Sequence, residues 1–468
     1  MFFKQFVNED LGCASYLIGD TDAGECVVVD PGWDVTPYLE LASSKGMAIR
    51  YVVETHNHAD HVSGHGKLAK LGAQVAVHKD AGVAYPHKSL KDGEVLKIGR
   101  VELRVIHTPG HRPEHIALAV TDTSRADEPW LVLTGDSLFV GDVGRPDLAI
   151  EPEEGAAQLF TSLNNLLKLE DGVEVYPGHV SGSLCGKSMS PKPNSTIGFE
   201  RRYNAPLSEK EQDAFVRQVT SELPPQPPQF VRIVEKNKGP FLTEDAVVRS
   251  LTADEVDSLR KDGGFVLDTR DPDAFGGGHI PGAINVDLYG GQFATRASWV
   301  IPEGAPVVLV LNAPGDLKQA MSLLEAAGQG NVKGYLLGGI HGWDSSGRPI
   351  ETVPQVPVSE LRERLQSGDR SFTVLDVRED SEWREGHIEG AIHIPFHQLS
   401  KSLDRVPSHK PVAVVCGGGT RSSIAASLLQ GEGFDPMNVS GGMGAWNSSG
   451  YPLAREGAGV GAGAGATK

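Results

Sequence analysis

The stretch "VVETHNHADHVSGH", residues 52–65, decides how this sequence folds. A short apolar strand ends there in a polar turn, which packs four histidines and an aspartate into residues 55–65. His56 and His58 are two residues apart, so a bent loop can aim both inward, and we expect a helix to start at Asp60 and His61. Loops held by a rigid sheet are where binding sites are commonly built. The stretch therefore predicts a metal site at the end of a strand.

Three further candidate ligands each follow a later apolar strand. They are His111 in "IHTPGH", Asp136 in "VLTGD" and His179 in "VYPGH". The packing of a hydrophobic core gives no reason for seven such residues at strand ends, so we expect metal binding. The residues alone leave the metal open. Five histidines and two carboxylates suffice for two metal ions, whereas two histidines and one carboxylate suffice for a single Fe(II) with open positions.

Length and composition limit the classes of protein to consider. At 468 residues the chain is too long for one core, which favours about three domains. No apolar run is long enough to span a membrane, and the first residues do not resemble a signal peptide. A net charge of −18 without a Lys/Arg-rich run argues against nucleic-acid binding. The four cysteines are far apart in sequence, so we expect a reducing cytoplasm rather than a disulfide framework, with Cys13 and Cys26 in the core.

The chain also contains a boundary segment and a long repeat. The proline-rich piece "ELPPQPPQF", 222–230, breaks the pattern of the first part, because repeated Pro removes donors and fixes an extended path. After it, "FVLDTRDPDAFGGGHIPGAINV" from Phe265 recurs as "TVLDVREDSEWREGHIEGAIHI" from Thr373. A repeat of this length is a duplicated domain, and alternating strands and helices predict a parallel α/β sheet in each copy. We place domains at 1–235, 245–350 and 355–453, followed by a Gly/Ala-rich tail, 454–468, that we expect to be disordered.

The first 235 residues resemble the metallo-beta-lactamase superfamily. The resemblance lies in the HxHxDH motif (His56, His58, Asp60, His61) and in the later TPGH, TGD and PGH motifs. It implies a multidomain α/β protein in which an αββα sandwich, with the site at one edge of two facing sheets, precedes the two repeated domains. It is specific for the fold and weak for the reaction, because the superfamily includes dizinc hydrolases, diiron flavoproteins and mononuclear iron dioxygenases.

The segment "TGDSLFVGDVGRPDL", 134–148, is similar to the persulfide dioxygenase branch. That similarity implies one Fe(II) per chain, held by His56, His111 and Asp136. It also implies that the remaining candidates orient the ligands and bound water, namely His58, Asp60, His61 and His179. Arg145 matches a pocket arginine of the branch. Single-domain relatives follow the last His with Asp-Tyr, whereas the longer segment here resembles multidomain fusions, and its Cys185 is a candidate to take up a sulfane sulfur.

The last repeat carries "VAVVCGGGTRSSIAASLL", residues 412–429. A strand delivers Cys416 into a loop that opens a helix, where backbone N–H groups and the helix dipole favour a thiolate nucleophile. The loop residues that would wrap around the sulfur are Gly417, Gly418, Gly419 and Thr420. Arg421 is a candidate to bind an anionic acceptor such as sulfite. With "LDVRE" and "GHIEGAIHIP", the stretch resembles the rhodanese domain. Its Cys-x4-Arg spacing encloses the shorter loop of sulfurtransferases, whereas related phosphatases use Cys-x5-Arg.

The middle repeat has the same scaffold segments as the last repeat but lacks its cysteine and arginine. Aligning "VVLVL" with "VAVVC" puts Leu311 at the cysteine position and Asp316 at the arginine position. The aligned loop has no thiol, and its acidic residue would repel an anionic acceptor. We therefore interpret it as an inactive rhodanese-like domain that serves as a spacer or docking element.

These observations predict a cytoplasmic enzyme with two activities. One oxidises a persulfide RSSH, with glutathione persulfide as first choice, by O₂ to sulfite and thiol; the other moves sulfane sulfur between persulfide or thiosulfate and thiol or sulfite through a persulfide on Cys416. The first alternative is a dizinc thioester hydrolase of the glyoxalase II type with accessory sulfur-carrier domains. The second is a sulfane-sulfur sensor or carrier with a structural metal, although structural zinc usually takes thiolates, which are far from the histidines in sequence. We also expect a homo-oligomer without nucleic-acid or membrane partners.

Overall fold

Two six-stranded sheets face each other in the first part of the chain. The computed structural model describes residues 1–180, 189–221, 223 and 225–455. The first sheet runs in the order β1 to β6, with strands β1 (Phe2–Asn8), β2 (Cys13–Asp20), β3 (Glu25–Val29), β4 (Ala48–Val53), β5 (Gln74–His78) and β6 (Lys88–Leu90). The second runs from β12 back to β7, with strands β7 (Val95–Ile98), β8 (Val101–His107), β9 (Ile116–Asp122), β10 (Leu131–Gly135), β11 (Glu174–Pro177) and β12 (Ser195–Thr196).

The strands of these sheets are buried on both faces. In β2, Ile18 points into the core between the two sheets, whereas Leu17 points into a second core with Val35 and Tyr38. Successive side chains of a strand alternate between faces, so a strand covered on both sides reads as a continuous apolar run. Helices cover the outer faces of the sheets and form the outer cores: α1 (Thr36–Ser44), α2 (His65–Lys70), α3 (Pro152–Leu166), α4 (Ile197–Tyr203) and α5 (Gln212–Thr220). The layers make the predicted αββα sandwich.

The topology brings the predicted ligands to one edge. β3 and β4 are parallel neighbours, and so are β10 and β11. Their carboxyl ends deliver Asp30, Glu54, Asp136 and the PGH turn to the same side of each sheet. The expected helix start at Asp60 and His61 was wrong, because α2 begins at His65 and the motif lies in a turn before it.

Each sequence repeat forms a five-stranded parallel sheet with the same strand order. The first copy has the order β13-β17-β16-β14-β15 and the second β18-β22-β21-β19-β20. The strands are β13 (Arg249–Leu251), β14 (Phe265–Asp268), β15 (Ile284–Asn285), β16 (Val307–Val310), β17 (Val332–Leu336), β18 (Gln355–Pro357), β19 (Thr373–Asp376), β20 (Ile392–His393), β21 (Val412–Val415) and β22 (Pro436–Ser440). Both sheets are parallel throughout, as the alternation of strands and helices predicted.

Helices surround these two sheets and precede them. The helix that precedes them in the chain is α6 (Phe230–Lys238). The later helices are α7 (Ala253–Lys261), α8 (Pro272–Gly277), α9 (Phe293–Val300), α10 (Leu317–Ala326), α11 (Gly339–Asp344), α12 (Val358–Gln366), α13 (Asp380–Glu385), α14 (Thr420–Gly431) and α15 (Gly442–Ser448). Short 3-10 helices cover Pro206–Ser208, Pro314–Asp316, Phe396–Lys401 and Leu403–Arg405.

The "LDxR" segment of each repeat is part of the scaffold. Arg270 forms a buried bidentate pair with Asp268 and also donates to the Gly278 carbonyl at 2.8 Å. Arg378 repeats this arrangement with Asp376 in the second copy. A planar guanidinium matches a carboxylate in this way, and pairing makes the burial of both charges tolerable.

The chain divides into two compact units. One comprises residues 1–245 and 322–330, and the other comprises residues 246–321 and those from 331 onward. Among the described residues, every helix is too short or too polar to cross a membrane. Residues 456–468 of the expected tail lie outside the described residues.

Candidate metal centre and sulfur-transfer loop

Three of the seven predicted ligands converge on one point. His56, His111 and Asp136 are buried, and each offers a ligand atom within 4.8 Å of the others. The Nε2 atoms of His56 and His111 lie 3.8 Å and 3.5 Å from Asp136 Oδ2. Neither His56 Nε2 nor Asp136 Oδ2 has a hydrogen-bond partner among the described residues. Buried polar atoms without partners are costly, so a metal ion that binds both atoms fits this site.

The hydrogen bonds of the two histidines orient their Nε2 lone pairs toward that point. His56 Nδ1 lies 2.9 Å from Thr55 Oγ1, and the Thr55 hydroxyl proton goes to Asp30 Oδ2 at 2.8 Å, so His56 Nδ1 is the donor. His111 Nδ1 faces the carbonyl oxygen of Arg145 at 3.0 Å, which only accepts. Burial lowers the pKa of both rings. Both therefore present a neutral ring with an unprotonated Nε2, the form that binds metals.

Asp136 is held ionised between two groups. Burial alone would raise the pKa of its carboxyl, but His179 and His111 beside it keep the pKa at about 2. Its Oδ1 accepts from His179 Nδ1 at 2.8 Å, which leaves Oδ2 on the side of His56 and His111. A Cβ at Gly178 would lie 2.4 Å from Oδ1, so the PGH turn needs glycine to approach this carboxylate.

His58 has different partners from the three converging residues. Its Nε2 lies 3.1 Å from Asp30 Oδ1 and 3.2 Å from Glu54 Oε2, the distances of ion pairs. Burial alone would lower the pKa of His58, but the two carboxylates raise it well above its ordinary value, which favours the protonated ring. Glu54 also accepts from Ser63 Oγ and faces His65 Nδ1. Asp30, Glu54 and His58 form a separate cluster whose ligand atoms lie within 4.8 Å of one another.

Sequence reasoning missed both of these carboxylates. Asp30 adopts a left-handed backbone conformation, φ +51°, which is uncommon outside glycine and frequent at constrained functional positions. The sequence carried no sign of it. Glu54 directly follows β4, two residues before His56, and a carboxylate at that position was a usable signal.

The Asp60 carboxylate contacts the two remaining candidates, His61 and His179. Its Oδ2 accepts from Cys13 Sγ at 2.8 Å and His179 Nε2 at 2.9 Å, and it lies 3.2 Å from His61 Nδ1. His179 therefore contacts two carboxylates, Asp60 through Nε2 and Asp136 through Nδ1. The expectation that Cys13 is a core residue was wrong, because this half-buried thiol lies beside the histidines. Burial and Asp60 raise the pKa of Cys13 well above its usual value, so the thiol is a donor here. Cys26 is fully buried in the core, as expected.

Arg145 contributes to the centre through its backbone. It is 3% exposed, and its Nε and Nη2 donate to the Asp147 carboxylate at 2.7 Å and 2.8 Å. Its carbonyl oxygen is the acceptor for His111 Nδ1. The Asp147 carboxylate also accepts from the side chain of Gln226 at 3.0 Å. Cys185 lies outside the described residues.

The structure places Cys416 directly after β21, in the loop that opens α14. Its side chain is 1% exposed, and its Sγ accepts from the Gly419 N–H at 3.1 Å and from Ser422 Oγ at 3.3 Å. Gly419 precedes the helix with φ +107°. A Cβ at Gly418 would meet no atom within 4 Å, and this residue is exposed, so the loop is open to solvent there.

The sequence did not indicate the partner of Arg421. Both terminal nitrogens of Arg421 donate to Glu382 of α13, at 2.6 Å and 2.8 Å. A Cβ at Gly417 would lie 3.1 Å from Arg421 Nη2, so the guanidinium lies against the loop. A half-buried carboxylate thus holds the predicted anion-binding group and offsets part of its charge.

The middle repeat has the equivalent geometry without the thiol. Val310 of β16 pairs with Asp268 as Val415 of β21 pairs with Asp376, so Leu311 and Cys416 hold the same position after their strands. Leu311 is buried, and Asp316 accepts from the Tyr289 hydroxyl at 2.8 Å.

Family comparisons agree with this architecture. A model of the metallo-beta-lactamase superfamily matches residues 8–179, and a model of the rhodanese-like domain matches residues 252–346 and 357–449. The crystal structure of a metallo-beta-lactamase from Staphylococcus aureus subsp. aureus COL superposes with a TM-score of 0.65 at 32% identity, covering 71% of this chain and 98% of that chain.

Two curated relatives differ in their named activities. The mitochondrial persulfide dioxygenase ETHE1 of Homo sapiens is 32% identical over 177 residues, 36% of this chain and 65% of the relative. A hydroxyacylglutathione hydrolase of Polaromonas sp. (strain JS666 / ATCC BAA-500) is 36% identical over 169 residues, 35% of this chain and 61% of the relative. The chain thus spans under two thirds of the length of each.

Proposed function

The chain belongs to the metallo-beta-lactamase superfamily and carries two rhodanese-like domains in tandem, and on this premise we propose that it couples persulfide oxidation to sulfur transfer. Its first unit oxidises a low-molecular-weight persulfide with O₂ and one water molecule to sulfite and thiol, and Cys416 transfers sulfane sulfur. The observation that carries the proposal is the separation of the seven candidate ligands. His56, His111 and Asp136 share one point, whereas Asp60 and His61 converge with Cys13 at another. His58 faces Asp30 and Glu54 instead.

Two histidines and one carboxylate are the ligand set of non-haem Fe(II) oxygenases. His56, His111 and Asp136 would hold one iron ion, which when bound supplies the one-electron chemistry that lets O₂ react with a persulfide sulfur. The Arg145 carbonyl and Thr55 hydroxyl fix the ring orientations of the two histidines, and His179 holds the Asp136 carboxylate. The three ligands are at most 3% exposed, so their ligand atoms are shielded from bulk water.

Sulfur transfer at Cys416 follows from its loop. The thiolate attacks the outer sulfur of thiosulfate or of a persulfide, the S–S bond breaks, and sulfite or a thiolate leaves with the electron pair. The Gly419 N–H and the Ser422 hydroxyl donate to the cysteine sulfur and stabilise its negative charge. Sulfite or a thiol then attacks the outer sulfur of the Cys416 persulfide, which restores the thiolate. The exposed loop at Gly418 gives these reactants access.

A second candidate is a dizinc thioester hydrolase. The hydroxyacylglutathione hydrolase relative favours it, because its sequence identity to this chain is as high as that of the persulfide dioxygenase. This function needs a second metal ion held by residues such as Asp60, His61 and His179. The two functions differ in metal count, in O₂ uptake and in the effect of replacing His58.

The decisive experiment is oxygen uptake by the iron-loaded full-length chain given glutathione persulfide, with sulfite and thiosulfate assayed together. We expect about one O₂ to be consumed per persulfide, because both oxygen atoms of O₂ enter the product. We also expect one iron ion per chain. Cys416→Ser is expected to keep the uptake and to lose sulfur transfer between thiosulfate and thiols. Absent uptake, together with two bound zinc ions and thioester cleavage, would establish the hydrolase instead.

A further inference from the structure

One short segment, "HRPEH" at residues 111–115, contains one ligand of the candidate metal centre and contacts the other two. It begins with the ligand His111 and ends with His115, whose side chain is completely buried. The ring centroid of His115 lies 5.1 Å from that of His56, and its Nε2 lies 2.9 Å from the backbone nitrogen of Asp136. The proposed function assigns no role to this buried histidine.

Hydrogen bonds fix which nitrogen of His115 carries the proton. The Asp136 N–H donates to Nε2, so Nε2 has a lone pair and the proton of the neutral ring is on Nδ1. Nδ1 then donates to Thr108 Oγ1 at 2.8 Å. Thr108 is buried as well, and its N–H donates to the His115 carbonyl oxygen at 2.9 Å. The ring is thereby held as an acceptor for the backbone of Asp136.

The end of β10 approaches His115 closely. Gly135 precedes Asp136 and has φ +48°, and a Cβ there would lie 2.6 Å from His115 Nε2 and 2.9 Å from Thr55 Oγ1. A side chain at this position would clash with the ring, so the contact needs glycine. The carboxylate of Asp136 is held separately, by His179. His115 therefore fixes the backbone from which the carboxylate projects, and His179 fixes the carboxylate itself.

Glu114 joins the same segment to the loop of His56. Its Oε1 accepts from the Asn57 N–H at 3.1 Å, from Asn57 Nδ2 at 2.7 Å and from Arg112 Nε at 2.8 Å. Both Glu114 and Asn57 are buried. Because Asn57 directly follows His56, this carboxylate connects the loop after β4 to the loop after β8.

We infer that His115 is the positioning residue of Asp136, within a segment that also supplies one ligand and holds the loop of another. The three ligands come from three different loops, and residues 111–115 contact each of them. Groups that orient a metal ligand typically change the metal affinity about 10–100-fold when they are replaced. The inference rests on the metal triad of the proposed function and not on its reaction.

The test is cobalt(II) binding by the full-length iron-free chain, measured by chelator competition and by the visible absorption of the bound ion, which reports its ligand geometry. His115→Asn keeps a donor near Thr108 but removes the acceptor of the Asp136 N–H, so the affinity should fall about 10–100-fold with an altered spectrum. His115→Gln restores an acceptor at the position of Nε2 and should recover most of the affinity and the spectrum. His78→Asn, at another buried histidine of the same unit, is the control and should leave both unchanged.

Thr108→Val is the second variant, in case His115→Asn does not fold. It has a similar shape and removes the acceptor that keeps the proton of His115 on Nδ1. With that proton free to move to Nε2, the ring no longer accepts reliably from the Asp136 N–H. We expect the cobalt affinity to fall and the spectrum to change in the same direction as in His115→Asn. Urea denaturation establishes that each variant is folded.

The outcomes separate this inference from the proposed function. One cobalt ion per chain with unchanged affinity and spectrum in His115→Asn, or in Thr108→Val if the first variant does not fold, overturns the role of His115 and leaves the single-metal centre standing. Equal defects in His115→Asn and His115→Gln overturn it too, because the acceptor would then not matter. Two cobalt ions per chain, with defects in His115→Asn that His115→Gln reverses, support the role of His115 and overturn the single-iron centre.

Discussion

At the residue scale, the two histidines of the HxH pair are two positions apart and have different contacts. His56 uses its Nδ1 on Thr55 and presents Nε2 to Asp136, whereas the Nε2 of His58 faces Asp30 and Glu54. The sequence motif treats both as ligands. The neighbours of each ring, Thr55 for His56 and Asp30 and Glu54 for His58, distinguish the two positions.

This difference predicts unequal effects of replacing residues in the motif. Asp136→Asn removes the only carboxylate of the proposed triad, so we expect the iron content to fall below about a tenth of an ion per chain. His58→Gln changes a group that only supports the site, and such changes cost about 10–100-fold in metal affinity. Iron content after dialysis against graded chelator measures both. Equal loss of metal from the two variants would show that His58 is itself a ligand.

The negative charge of Glu382, the partner of Arg421, yields a prediction for the sulfur-transfer loop. Glu382→Gln keeps an acceptor for Arg421 and removes the negative charge, so anionic thiosulfate should bind more tightly. We expect its KM to fall a few-fold, in line with the ~0.5–1 kcal/mol of a partly exposed ion pair. Glu385→Gln, exposed on the same helix, is the control and should leave the KM unchanged. A rise in KM for Glu382→Gln would mean that the carboxylate serves to orient Arg421.

The residues that sequence reasoning found and missed differ in how they are brought to the site. The convergence of His56, His111 and Asp136 could be predicted because each follows an apolar strand. Cys13 and Asp30 could not, since they contact Asp60 and His58 across 47 and 28 positions of the chain through strand pairing. A single sequence without register carries no signal for such pairs.

At the scale of elements, α6 and the metal-binding loop depend on one asparagine. Asn237 Nδ2 donates to the carbonyl oxygens of His58 and His61, and its Oδ1 accepts from the Ser63 N–H. Asn237→Ala removes these three hydrogen bonds, so we expect the free energy of unfolding to fall by about 1–3 kcal/mol. Urea denaturation of the iron-loaded chain measures the change. Asn164→Ala, whose exposed side chain bonds within α3, should change it by less than about 0.5 kcal/mol. Equal effects of the two variants would contradict a specific anchor.

The first residue of α15, Gly442, packs closely against the sulfur-transfer loop. A Cβ at Gly442 would lie 2.3 Å from the Cys416 carbonyl oxygen, and Gly442 has φ +52°. Gly442→Ala should displace the loop and lower the sulfurtransferase kcat by about tenfold or more, the effect of misplacing reacting groups. Gly450→Ala is the matched control, since Gly450 has φ +68° and open space around it. Gly450→Ala introduces only the backbone strain of about 1–2 kcal/mol, without a steric clash, so kcat should be unchanged. A normal kcat in Gly442→Ala would show that the loop tolerates the shift.

At the scale of the whole molecule, the sequence predicted the duplicated domain, but it did not indicate what the middle copy does. The repeated "LDxR" and "GHI" segments predict two parallel sheets, since each copy contains a complete strand pattern. The contacts between the copies depend on single side chains without any pattern. Ser423 of α14 donates to Asn285 of the middle repeat at 2.6 Å, and Ser427 Oγ accepts from the Asn285 N–H at 3.2 Å. The middle repeat therefore packs on α14, the helix that follows the Cys416 loop.

One of these contacts reaches the loop itself and yields the last prediction. Arg296 of the middle repeat donates from Nη1 to Thr420 Oγ1 and to the Gly290 carbonyl oxygen, each at 3.0 Å. A hydrogen bond from a charged group contributes about 1.5–3 kcal/mol, so Arg296→Ala should lower kcat/KM for thiosulfate by about tenfold, with partial rescue by lysine. Oxygen uptake should not change. Arg260→Ala, which removes a local ion pair in the same repeat, is the control. Unaltered kcat/KM in Arg296→Ala would show that this contact between the middle repeat and the Cys416 loop has no consequence for sulfur transfer.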